Sequence, residues 1–95
     1  MPRIIMNGTV IAESDNTKMV EGNHYFPPES VKTEYFSETA HNTTCPWKGK
    51  ASYYTITVDG ETAENAAWYY PQPKDAAAQI KGHIAFYKGK VTIEG

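Results

Sequence analysis

Cysteine is almost missing from this chain: Cys45 stands alone among 95 residues. No internal disulfide can form, and neither a Cys-x-x-Cys knuckle nor a four-cysteine zinc site is available. A lone thiol suits a reducing compartment, so a cytoplasmic location is expected. Long apolar runs are also missing, since the longest reach only a few residues where a bilayer needs about 20. The opening Met1-Pro2-Arg3-Ile4-Ile5-Met6 arrives at Asn7-Gly8 before an export-length apolar segment develops. No membrane association is expected.

Neither sign of charge dominates. Nine Lys and Arg stand against eleven Asp and Glu, for a net charge of −2, and the basic residues are scattered among acidic ones. Without a basic stripe, a nucleic-acid partner is not expected. Standard catalytic signatures are lacking as well: there is no Gly-x-Ser-x-Gly elbow and no phosphate loop of the Gly-Lys-Ser/Thr type. His41 and Cys45 are four residues apart, while His24 and His83 are distant in sequence, so neither a metal nor a cofactor is expected.

What the chain does have is rings. Two tryptophans, seven tyrosines and three phenylalanines give a short chain enough area for a core. The length fits one domain, 1–95. Asn7-Gly8 between Ile4–Met6 and Thr9–Glu13 marks a β-hairpin, with Val10 and Ala12 alternating against Ile11 and Glu13. Lys18–Glu21 reads as a short strand ended by Gly22-Asn23. Pro27 and Pro28 make His24–Ser30 an ordered loop. Val31–Phe36 reads as a strand, and the polar, threonine-rich Ser37–Cys45 as a loop with one helical turn.

Ala51–Val58, nearly all β-branched or aromatic, is the clearest strand. Glu61–Ala67 is ambiguous, and Trp68-Tyr69-Tyr70 is a short strand stopped by Pro71. Pro73–Ile80 is the one helix candidate, with Asp75 near its start and Gly82 past its end. His83–Tyr87 and Lys90–Glu94 read as a last hairpin around Lys88-Gly89. About seven short strands and one short helix near the C-terminal third predict a mainly β sheet sandwich or open barrel.

Candidate chemistry gathers around Cys45. A nucleophilic thiolate needs a positive or hydrogen-bonding neighbour, which Lys48, His24 or His41 could supply. The competing reading is a small side chain that packs. The aromatic set is larger than such a core hides, and buried Tyr and Trp tips seek hydrogen-bond partners. The leading expectation is a small-molecule pocket lined by Tyr25, Trp47, Tyr53, Trp68 and Tyr70, with Lys48, and with Arg3 or Glu21, adding polarity. The first alternative is an enzyme with Cys45 as nucleophile and His24 or His41 as base. The second is a structural or protein-interaction module, as a monomer or small homo-oligomer.

Asn7-Gly8, Ile11-Ala12-Glu13-Ser14, Tyr25-Phe26-Pro27, Cys45-Pro46-Trp47-Lys48-Gly49, Ala51-Ser52-Tyr53-Tyr54 and Ala67-Trp68-Tyr69-Tyr70-Pro71 follow one another in a single order. In that order they resemble the family known as domain of unknown function 427, found mainly in bacteria, from about Arg3 to Val91. The resemblance implies a β-tent fold of the Mss4-like kind, shared with methionine sulfoxide reductases of the B type. The paired zinc knuckles and the second thiol of those relatives have no counterpart here, so neither their metal nor a reductase cycle is carried over. The family has carried a nucleotidyltransferase label, and no motif of that activity stands in this chain.

Overall fold

Strand β1 (Arg3–Met6) turns through Asn7-Gly8 into β2 (Thr9–Glu13) in the computed structural model, which describes residues 1–95. Both turn residues have positive φ, 50° and 78°, as the Asn-Gly pair demands. The alternation expected along β2 breaks at a bulge. Ile4 pairs with Ala12 and Ile5 with Val10, which leaves Ile11 over, so Ile11 and Ala12 are both buried.

The remaining strands are β3 (Lys18–Val20), β4 (Asn23–Tyr25), β5 (Phe36–Cys45), β6 (Gly49–Val58), β7 (Glu61–Tyr69), β8 (Ile84–Phe86) and β9 (Thr92–Glu94). They form three antiparallel sheets ordered β2-β1-β9, β3-β4 and β5-β6-β7-β8. Short 3-10 turns occupy Pro28–Ser30, Thr33–Tyr35 and Asp75–Ile80. The chain is mainly β. No helix is long and apolar enough to cross a membrane.

Several expectations change. His24-Tyr25 belongs to a strand, because the prolines follow it and Glu21-Gly22 supplies the left-handed turn that pairs β4 with β3. Val31 keeps only a single bridge to Ala12 before the chain winds into Thr33–Tyr35. Ser37–Cys45 is an edge strand, not a loop: its threonines suit a pleated, mostly exposed ribbon with nothing to bury. Glu61–Ala67 resolves as strand. The helix candidate becomes a 3-10 segment kinked at Ala77, too short for an α-helix and held by the burial of Ala77 and Ile80. The last hairpin does not form, since β8 adds to β7 and β9 adds to β1.

Strands β6, β7 and β8 of the central sheet are covered on both sides, so alternate residues along them enter two different cores. The cross-strand row Tyr54–Ala67–Phe86 faces the larger one, which also holds Ile4, Ile11, Phe26, Ile56 and Val58. Here Phe86 makes edge-to-face contact with Phe26 at 5.7 Å. The adjacent row Tyr53–Trp68–Ala85 faces the smaller core with Tyr25, Tyr70, Ala77 and Ile80. Phe26 and Ile84 exchange two backbone hydrogen bonds of 2.8 Å, which tie the β3-β4 hairpin to the edge of this sheet.

The turn Pro46-Trp47-Lys48 joins β5 to β6 and is clamped from outside. The Lys74 amide donates to the Lys48 carbonyl (2.9 Å), and the Lys74 ammonium donates to the Pro46 carbonyl (2.7 Å). Gly49 closes the turn at φ +113°, where an added Cβ would also lie 3.4 Å from the Lys74 nitrogen. Gly49→Ala is therefore expected to lower stability by about 1–3 kcal/mol, read as a lower urea midpoint at unchanged slope.

Candidate functional site

Lys48 is the only charged residue buried in the protein, at 6% exposure. The β5-β6 turn aims its side chain back over the smaller core, where its ammonium lies 5.6 Å from the Tyr70 ring centre and 5.4 Å from that of Trp47. Its charge is met by Glu21, whose Oε1 accepts a hydrogen bond from Nζ. The other carboxylate oxygen, Oε2, accepts one from the Trp47 indole N–H at 3.3 Å. Glu21 reaches this position from the tip of the β3-β4 hairpin, with its own backbone in the left-handed region at φ 54°.

Two tips therefore meet. One, Glu21-Gly22, brings a carboxylate, and the other, Pro46-Trp47-Lys48, brings two donors.

Beneath them lies an aromatic floor. Tyr25 is fully buried, and its hydroxyl accepts the Trp68 indole N–H at 3.1 Å, with the two rings edge to face at 6.2 Å. Tyr53 shares a 2.9 Å hydrogen bond with Thr43 and stacks against Tyr87. Cys45 and Val20, both half-buried, pack against the same cluster.

The electrostatics follow from this burial. Desolvation pulls the Lys48 ammonium down, but its bond to Glu21 and the nearby Tyr25 and Tyr70 hydroxyls outweigh it, so its pKa stands above the usual lysine value. Hydrogen bonds from Lys48 and then Trp47 hold the Glu21 carboxyl below the ordinary carboxylate range. Burial pushes Tyr25 up, opposed by the Trp68 bond and the Lys48 charge; it pushes Tyr70 up too, again opposed by Lys48. At neutral pH the site therefore holds an ammonium, a carboxylate and protonated phenols. It can hold and orient an anion, and it offers no free base.

Of the residues expected from sequence, Tyr25, Trp47, Lys48, Tyr53, Trp68 and Tyr70 converge, with Cys45 at their margin. They pack on one another and line none of the molecule's five clefts. The largest cleft, about 530 Å³, lies between His24, Phe26, Phe86, Lys88 and Ile93. His24 faces that cleft because β4 sends it to the side opposite Tyr25, and its Nδ1 pairs with the Thr17 hydroxyl at 2.9 Å. Cys45 and His24 are thus not brought together. His41 meets the Tyr53 ring edge-on at 4.5 Å, and along a strand its four-residue separation from Cys45 spans about 13 Å. Arg3 pairs with Glu94 (2.8 Å) and Glu13 (3.7 Å) on another sheet.

Glu21 is the residue that sequence reading placed least securely. A charged residue before Gly22 reads as an ordinary turn. Its only signal was Glu-Gly itself, a pair in which a bulky residue takes on positive φ.

A family model described as Domain of unknown function (DUF427) matches residues 2–95, so the chain belongs to that family. No curated protein matches it.

A depressed carboxyl contributes stability that is present above its unfolded pKa and lost as pH falls through the folded one. The carboxyl carbon of Glu21, followed by NMR, should therefore titrate at lower pH in the wild type than in Lys48→Met.

Proposed function

We propose that this member of the domain of unknown function 427 family is a small-molecule-binding domain whose site is the meeting point of Glu21, Trp47 and Lys48 over Tyr25 and Tyr70. One observation carries this reading: the single buried charge of the protein is an ammonium. Desolvating an ammonium costs several kcal/mol, and an apolar side chain of the same length would pack as well. A group kept at that cost, in a site with placed donors and an exposed indole, is what ligand recognition requires. The packed rings mean that the ligand enters by displacing a group already there.

The free Cys45 thiol supports a cytoplasmic setting. Three small antiparallel sheets support the β-tent likeness. Cys45 lines the site as a packing residue in this reading, since it packs against the aromatic cluster and has no hydrogen-bonded histidine, while His24 pairs with Thr17.

Lys48→Met separates function from structure. The variant keeps the apolar stem, and the Glu21 left behind is 51% exposed and stays hydrated. Its stability should lie within about 1 kcal/mol of wild type. In a fragment screen, compounds that shift the Trp47 indole N–H resonance of the wild type should no longer do so in Lys48→Met. If every binder shifts only His24 and Lys88 of the 530 Å³ cleft, the proposed site is wrong.

A further inference from the structure

Each oxygen of the Glu21 carboxylate has its own donor: Oε1 the Lys48 ammonium, Oε2 the Trp47 indole N–H. This is a two-point cradle for a carboxylate, built from adjacent residues of one clamped turn. The two sides of the contact are not alike. The Lys48 side chain is 8% exposed and fixed over the smaller core, while the Glu21 side chain is 51% exposed and hangs from a two-residue hairpin tip. Glu21 can swing into water by rotation about its own side-chain bonds, whereas Lys48 cannot leave. The donors are the permanent part and the carboxylate is the exchangeable part.

Resting on the ligand-binding reading above, we infer that the ligand is a small carboxylate, and that Glu21 is the resident occupant it displaces. The incoming carboxylate takes both hydrogen bonds, and its apolar body lies on the Trp47 ring, which is 39% exposed. The Lys74 ammonium binds the Pro46 carbonyl and so holds the turn that carries both donors. Because the group resident in the cradle is itself a carboxylate held at both oxygens, the assignment favours carboxylates over tetrahedral anions. In this arrangement Glu21 lowers affinity by competing from within the chain, and it keeps Lys48 neutralised while the site is empty.

The test opens the cradle. Glu21→Gly removes the carboxylate and suits the left-handed backbone at that position, and Glu21→Asn, which tolerates the same conformation, serves as a second variant. Each is titrated with phenylacetate, with its neutral amide phenylacetamide, and with inorganic phosphate, following the Trp47 indole N–H by NMR. Phenylacetate should bind both variants about tenfold more tightly than wild type, as expected when one competing charged contact is removed. Adding Lys48→Gln to Glu21→Gly should abolish that binding. If phenylacetamide or phosphate binds the opened site as well as phenylacetate, the carboxylate assignment is overturned while the site itself stands. If none of these probes moves the Trp47 signal in either variant, and neutral fragments also leave it unmoved in wild type, both the assignment and the binding reading fall.

Discussion

The two-sided burial of the β6-β7-β8 sheet is the constraint from which the rest of the molecule follows. Strands with both faces covered must send successive side chains into different cores, so the Tyr53-Tyr54 and Ala67-Trp68 pairs split one ring or methyl to each side. The larger core takes most of the aliphatic residues together with Phe26 and Phe86 and is closed by the β2-β1-β9 sheet. The smaller one is left to rings with polar tips, and it lies under the two hairpin turns. A cluster of Tyr and Trp at that end needs hydrogen-bond partners, and it finds them internally: Trp68 to Tyr25, and Tyr53 to Thr43.

That arrangement is what makes a buried lysine tolerable. The aromatic faces of Tyr70 and Trp47, the two phenol dipoles and the Glu21 carboxylate together offset the loss of water around the Lys48 ammonium. No buried side-chain polar atom in the protein lacks a partner. The site is therefore satisfied at rest, and any chemistry it performs begins with an exchange of partners rather than with the filling of an empty hole. The same geometry argues against reading Cys45 as a nucleophile. It sits at the edge of the cluster with phenols held in their protonated form, and His24 faces the opposite side of β4.

The convergence of these residues was legible before the fold was known. Tyr25, Trp47, Lys48, Tyr53, Trp68 and Tyr70 do come together, because polar-tipped rings at strand ends and turns have to gather where the core is thin. The nature of the site was less legible. A pocket was expected, and the rings instead pack on each other with a cation above them. Local turn chemistry was reliable where glycine dictated it, as at Asn7-Gly8. It was unreliable for Ser37–Cys45, where polar composition suggested a loop and an edge strand formed, because an edge strand exposed on both sides needs no apolar residues.

What the sequence determined by itself was the mainly β class of the protein and the rings that gather around Lys48. Period-two strands, forced turns and a lone thiol are local properties, written in neighbouring residues. Only the tertiary structure decided the pairings: β9 with β1, His24 facing away from Cys45, and Glu21 across from Lys48 at a separation of 27 residues. Those contacts depend on which face of a strand a residue occupies after every bulge and turn has been counted. One extra residue, as Ile11 is in β2, reverses that face without leaving a mark in composition.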